Sequence, residues 1–159
     1  MTRSLCFVVK TIGMSMLAPF VLAFAIASAF STPAPAKEIV IKTLNRGPDG
    51  SFFAFAPEVV RLEPGDSINF VAVDKGHDIY AVPGMIPEGA QLFESGMSQD
   101  LKVTFTVPGV YVVACRPHLP MGMVSLVIVG EPVNLDKIDP AKLSGKAKSK
   151  LESLLAPLK

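Results

Sequence analysis

The chain has 159 residues, with 15 basic and 14 acidic side chains and a formal net charge of +1 at neutral pH. This balance excludes the basic surface that a nucleic-acid-binding protein needs. The length that remains behind an apolar N-terminal segment suits one compact domain rather than two.

The first 36 residues predict a signal peptide. Arg3 and Lys10 precede an apolar run over residues 12–30, and no acidic residue occurs in this segment. Small residues predict cleavage after Ala36, with Ala29 as the alternative site. An uncleaved membrane anchor is the competing interpretation, which the glycine, serine and proline within the run weaken. We therefore expect an exported protein without stable membrane association after cleavage.

Residues 37–130 predict a β-rich domain. Its strand-like runs are alternating or continuously apolar, and turns rich in proline and glycine separate them. The runs cover residues 38–44, 51–55, 58–62, 67–73, 101–107, 110–115 and 123–129. The pattern favours an antiparallel sandwich or barrel. Residues 82–99 form one long irregular stretch, and loops of this length are often functional.

Residues 131–159 predict a helical extension. Leucine and alanine recur at helical spacing, which predicts one amphipathic helix over residues 144–155 with Ser144 as its N-cap. A short helical turn is expected near residues 134–138. The short apolar stripe has no aromatic residue, which favours packing on the sandwich over binding to a membrane.

Cys115 is the only cysteine that remains after signal cleavage, so no disulfide can form within the processed chain. His118 and Met123 follow it in a loop between two predicted strands, and His77 comes just after another strand. A thiolate, two imidazoles and a thioether are the donor set of a blue-copper electron-transfer site. Spacing alone leaves Met121 as an alternative to Met123. A buried, inert cysteine with surface histidines is the competing interpretation.

Six segments carry a resemblance that covers the processed chain. They are residues 44–50 (LNRGPDG), 64–66 (PGD), 74–77 (DKGH), 84–90 (GMIPEGA), 102–111 (KVTFTVPGVY) and 115–123 (CRPHLPMGM). With these motifs the chain resembles the pseudoazurins, a group of cupredoxins. The resemblance implies an all-β, eight-stranded Greek-key β-sandwich with a C-terminal helical extension. It also implies one copper ion bound by His77, Cys115, His118 and Met123.

By the same resemblance, the protein is a periplasmic, monomeric carrier of single electrons rather than an enzyme. His118 is expected at the surface within an apolar ring, and a small apolar contact suits weak, quickly released redox encounters. The predicted partner surface comprises Pro83, Met85, Leu119, Pro120, Met121 and Lys75. The implied partners are a copper or haem nitrite reductase of denitrification or a c-type cytochrome.

The chain departs from the pseudoazurin pattern beside its ligands. Asp78 follows His77 where pseudoazurins commonly have asparagine, and Arg116 follows Cys115 where they commonly have a small polar residue. We expect Asp78, Arg116 and Pro117 to support the ligands, with an Asp78–Arg116 ion pair as the clamp between two ligand loops. Two independently solvated charges are the alternative.

The charge distribution departs from the pattern as well. Glu94 and Ala114 occupy positions that are frequently lysine in pseudoazurins, and residues 37–135 carry 7 basic and 11 acidic side chains. We therefore expect weak electrostatic steering, because complementary charge sets the rate of encounter. This expectation puts the nitrite reductase in doubt and leaves a cytochrome with a less acidic face as the other candidate.

Other functional classes fit less well. A multicopper enzyme needs further histidines, and the chain has only two. Copper transport or storage is the alternative function, although such proteins favour exposed methionine-rich or Cys-x-x-Cys motifs. Zinc would accept the same thiolate and imidazoles, but a structural zinc leaves an exposed apolar ring without a purpose.

Overall fold

The computed structural model describes residues 35–158. The predicted signal peptide lies outside these residues, apart from Pro35 and Ala36. Eight strands form two four-stranded sheets, with the orders β2-β1-β4-β6 and β3-β8-β7-β5. The strands are β1 (Glu38–Arg46), β2 (Phe52–Ala56), β3 (Val59–Leu62), β4 (Ser67–Ala72), β5 (Tyr80–Ala81), β6 (Leu101–Thr104), β7 (Gly109–Ala114) and β8 (Val124–Val129). The predicted eight-stranded β-sandwich is confirmed.

Alternating side chains of the first sheet form one side of the core. In β1, Ile41 and Thr43 are buried, while Val40 and Lys42, which alternate with them, are exposed. β7 and β8 are instead buried at every position. One face of these two strands packs in the core between the sheets, and the other packs beneath the C-terminal segment. Strands covered on both faces read as continuous apolar runs, which explains their sequence.

The sheets are mixed rather than wholly antiparallel. β1 pairs with β4 in parallel, and β3 pairs with β8 in parallel. These pairs join strands that are separated along the chain, as crossovers between sheets require. The sequence missed β5, because two residues are too short for any periodicity to show.

The C-terminal segment packs on the second sheet through one helix, α1 (Gly145–Leu155). Ala147, Leu151 and Leu155 are buried in a cluster with apolar side chains of β7 and β8, as the helical spacing predicts. Ser144 occupies the N-cap position, but its side chain makes no capping hydrogen bond. Four short 3₁₀ turns cover Leu119–Met121, Leu135–Lys137, Pro140–Lys142 and Ala156–Leu158. Between residues 35 and 158, no helix has the length and apolar character to cross a bilayer.

Polar contacts tie this segment to the sandwich. Lys150 of α1 donates to the Glu58 carboxylate at 2.6 Å and 2.9 Å. Asn134 is buried, and its side chain accepts from the Val110 N–H at 2.7 Å and donates to the Val110 carbonyl at 2.9 Å. The Asn134 side chain therefore makes the two hydrogen bonds that a neighbouring strand would make to this part of β7.

Candidate metal centre

His77, Cys115 and His118 meet at one end of the sandwich. Their donor atoms all lie within 4.8 Å of one another. The Cys115 Sγ is 3.7 Å from His77 Nδ1 and 3.4 Å from His118 Nδ1, and the two Nδ1 atoms are 3.1 Å apart. Cys115 directly follows β7, His118 precedes the first 3₁₀ turn, and His77 lies between β4 and β5.

The loop from Cys115 to Met123 is held by its own backbone. The Cys115 N–H donates to the Met123 carbonyl at 3.2 Å, and the Met123 N–H donates to the His118 carbonyl at 3.2 Å. Gly122 has φ 96°, a left-handed conformation that lets the chain turn back into β8. Met123 is 1% exposed and belongs to the same core cluster as Cys115, whereas Met121 is 42% exposed.

Asn45 orients His77, a role that the sequence did not reveal. The His77 Nε2 is 3.1 Å from the Asn45 Oδ1, which can only accept. The proton of a neutral His77 therefore sits on Nε2, and the Nδ1 lone pair points toward the Cys115 sulfur. Hydrogen bonds of this kind fix the tautomer of a metal-binding histidine.

Phe53 supports His118, and this role was also missed. The two rings stack with centroids 3.9 Å apart and an interplanar angle of 6°. Phe53 also approaches His77 edge-on at 6.2 Å. Its neighbour Phe52 is 65% exposed, with the Arg46 guanidinium 4.7 Å from its ring centroid. The sequence shows two adjacent phenylalanines, Phe52 and Phe53, but it does not indicate which of the two rings faces the histidines.

Asp78 and Arg116 form the ion pair that the sequence predicted. The Arg116 Nη1 donates to Asp78 Oδ2 at 2.6 Å, and the Arg116 backbone N–H donates to Asp78 Oδ1 at 2.7 Å. The other guanidinium nitrogen, Nη2, donates to Glu94. The guanidinium also lies 4.3 Å from the ring centroid of Tyr80. Pro117, the third residue that the sequence expected to support the ligands, is exposed.

Burial favours the neutral form of each donor. It raises the pKa of the Cys115 thiol from 9.0 to about 11. It lowers the pKa of His77 and of His118 from the ordinary 6.5, and the nearby His118 lowers that of His77 further. At neutral pH the chain thus offers two neutral imidazoles and a thiol whose proton a metal must displace.

The predicted partner surface needs one correction. Met85 is 1% exposed, so it cannot take part in an exposed apolar ring. Its N–H donates to the Val82 carbonyl at 3.0 Å and its carbonyl accepts from Val112 at 3.0 Å, which turns the side chain into the cluster beneath α1. Alternation cannot show the direction of a side chain within an irregular loop. Of the other predicted members, Leu119 is half-buried, and the exposed ones are Pro83, Pro120, Met121 and Lys75.

The donor set fits copper better than a hard cation. Imidazole and soft sulfur ligands suit copper, whereas magnesium and calcium prefer oxygen. No carboxylate belongs to the His77–Cys115–His118 group, and the nearby Asp78 carboxylate is engaged by Arg116. Met123 is buried in the same core cluster as Cys115, so its thioether is a candidate for a second soft sulfur donor.

Comparisons with known proteins point to copper. The family described as copper binding proteins, plastocyanin/azurin family, matches residues 41–130. A pseudoazurin of Methylorubrum extorquens is 46% identical over 118 residues, which cover 74% of this chain and 78% of that protein. A pseudoazurin of Paracoccus pantotrophus is 43% identical over 129 residues, or 80% of this chain and 88% of that protein. The crystal structure of native pseudoazurin from Hyphomicrobium denitrificans superimposes with a TM-score of 0.71 at 38% identity, covering 76% of this chain and 97% of that chain.

Proposed function

Because the chain belongs to the plastocyanin/azurin family of copper-binding proteins, and within it to the pseudoazurins, we propose that it carries single electrons between redox proteins of the periplasm. The fold is that of a cupredoxin, and the cofactor is copper. The proposed ligands of one copper ion are His77, Cys115, His118 and Met123. Both histidines of the chain are then copper ligands, so neither is left to act on a substrate. The proposal therefore assigns the protein no catalytic reaction.

The convergence of three donor atoms within 4.8 Å carries this proposal. When bound, copper supplies the chemistry of taking up and releasing one electron. The chain's contribution is to hold the donors still, through the backbone bonds of the Cys115 loop and the Asn45–His77 contact. Cys115 and His77 are fully buried, which keeps water away from the sulfur and from one imidazole.

His118 is the donor closest to solvent, and it supports an electron path to a partner. Its ring is half-buried, and the segment that follows it includes the exposed Pro120 and Met121. We include Phe52 in this proposed surface, because its side chain is 65% exposed and its ring centroid lies 6.4 Å from that of Phe53. An apolar surface at the exposed donor allows a short electron path and a weak, rapidly released complex.

The charges around this surface bear on the proposed partner. Arg46 lies over Phe52, and Lys146 lines a groove of about 450 Å³ together with Phe52 and Met121. The charge of Arg116 is compensated by Asp78 and Glu94. We propose a partner with a moderately acidic face, either a nitrite reductase of denitrification or a c-type cytochrome, that meets the protein as a monomer. The signal-like segment over residues 1–36 supports the periplasmic location.

The test is a visible spectrum of the processed chain after addition of Cu(II), followed by ascorbate. We expect an intense thiolate-to-copper band that bleaches on reduction and returns on oxidation. Met123→Leu should change the position or intensity of the band, while Met121→Leu serves as a matched control and should leave it intact. A colourless protein that binds only Cu(I), or that releases copper readily, would replace electron transfer with copper transport or storage.

A further inference from the structure

We propose that Glu94 is a positioning residue, which acts through Arg116 on the two loops that carry metal donors. The inference rests on the proposed function, because it assigns Glu94 to the support of that same metal site. Glu94 lies outside the ligand loops, in the irregular stretch before β6. Its effect on the site must therefore pass through the residues that it contacts.

The first step is the link between the loops. The Asp78 carboxylate is buried, and it accepts both the backbone N–H and the Nη1 of Arg116. Asp78 directly follows His77, and Arg116 directly follows Cys115. The pair therefore joins the loops one residue away from a donor in each. One of the two bonds comes from the guanidinium, so the strength of the link depends on where that group lies.

The second step is the placement of that guanidinium. The Arg116 side chain is 49% exposed, and an arginine at such a position has considerable rotamer freedom to lose. Glu94 accepts a hydrogen bond from Nη2, while the ring of Tyr80 covers the guanidinium face. The backbones of Tyr80 and Glu94 pair in an isolated β-bridge, which fixes the backbone position from which the Glu94 side chain extends. Arg116 is thus held by Asp78, Glu94 and Tyr80 together.

The third step concerns charge. In the sequence, Glu94 stands at a position that is frequently lysine in pseudoazurins, which predicts weaker steering of a partner. In the structure Glu94 and Arg116 are partners, and with Asp78 they form a group of two carboxylates and one guanidinium. The charge of Arg116 is therefore neutralised by these two carboxylates and adds nothing to the attraction of an acidic partner. One network accounts for three departures from the pseudoazurin pattern.

The test compares Glu94→Lys with Glu88→Lys in protein loaded with Cu(I), which is diamagnetic. Glu88 is a matched control, since it also pairs with a cation, Lys137 at 3.1 Å, and its side chain is 89% exposed. We expect hydrogen exchange of the Arg116 amide to accelerate about twofold to fivefold in E94K, the range of an exposed ion pair. E88K should leave that amide unchanged. Equal rates in the two variants would overturn the proposal.

A second comparison separates positioning from a general effect of charge. In the background D78N/R116T, a neutral amide and a hydroxyl replace the buried ion pair, so Glu94 has no guanidinium to hold. E94K should then leave the exchange of the amide at position 116 unchanged. The same acceleration in both backgrounds would show that Glu94 does not act through Arg116. If no thiolate-to-copper band forms, the proposed function fails, while the same exchange comparison on zinc-loaded protein still tests Glu94.

Discussion

The ring of Phe53 lies flat against the ring of His118, with centroids 3.9 Å apart and planes 6° apart. Phe53 adopts this position with φ 56°, a left-handed conformation that costs a non-glycine residue about 1 to 2 kcal/mol. The local backbone therefore does not favour the arrangement, and contacts of the ring must offset its cost. The most exposed donor of the site is thus held by an aromatic ring as well as by its own loop.

We expect Phe53→Leu to loosen His118. Leucine keeps the apolar character of the position but loses the stacked plane, which is worth about 1 kcal/mol beyond the buried area. The free energy of unfolding should fall by about that amount, and the upfield ring-current shifts of the His118 ring protons should disappear in NMR spectra. Phe52→Leu is the matched control, because Phe52 does not stack on a histidine. Equal losses in both variants would mean that the stack contributes nothing specific.

The sequence predicted the strands well because most of them have a periodic or continuous apolar pattern. β7 and β8 read as unbroken apolar runs because α1 covers their outer face. Motif spacing placed Cys115, His118 and a methionine in one loop for the same local reason, whereas the choice of Met123 over Met121 came from the resemblance to pseudoazurins. Patterns within one segment are visible in the sequence.

The remaining features depend on contacts between segments, which no local pattern reports. Phe53 reaches His118 across 65 positions of the chain, and Glu94 reaches Arg116 across 22. Asn45 belongs to a motif that the sequence singled out, but its contact with His77 spans 32 positions. The assignment of Met85 to the surface was wrong because a loop carries no information about which side chains turn inward.

Metal uptake should release about one proton per ion at about pH 7.5. The buried Cys115 thiol has a pKa of about 11 and is protonated there, while both histidines, with pKa values lowered from 6.5, are already neutral. The number of protons released can be measured by calorimetry in buffers of different ionisation enthalpy. Zn²⁺ is the metal to use, because it cannot oxidise the thiol. Affinity should rise about tenfold per pH unit over this range. Cys115→Ser should release no proton, and a wild-type chain that also releases none would show a thiol already ionised.

Asn134→Ala should destabilise the fold by about 2 to 4 kcal/mol, since it leaves both backbone polar groups of Val110 unpaired in a buried setting. Val110 itself is fully buried, so water cannot replace the two lost bonds without opening the edge of β7. Denaturant unfolding measures the loss. Val133→Ala is the control, because Val133 is 68% exposed and the substitution should change stability by less than about 0.5 kcal/mol. A similar small change for Asn134→Ala would show that Val110 finds other partners.

Asp66 should make stability depend on acid pH. Its carboxylate accepts the N–H of Lys37 at 2.7 Å and that of Glu63 at 2.9 Å, and these bonds, that of Lys37 foremost, hold its pKa below 3.8. The folded state therefore favours the charged form, so the contribution is complete above pH 3.8 and is lost as pH falls through the lowered pKa. Urea unfolding should show Asp66→Asn to be less stable than the wild type at neutral pH, and this difference should shrink as pH falls through the lowered pKa of Asp66.

The same carboxylate should respond to the position at which the predicted signal peptide is cleaved. Cleavage after Ala36 turns the Lys37 nitrogen into a charged α-ammonium beside Asp66, whereas cleavage after Ala29 leaves a neutral amide there. A charged donor makes a stronger hydrogen bond to a carboxylate. Urea unfolding of chains that start after Ala36 and after Ala29 should therefore show a larger loss for Asp66→Asn in the shorter chain. Equal losses would mean that the ammonium is solvated and does not pair with Asp66, so that the terminus gains nothing from processing at Ala36.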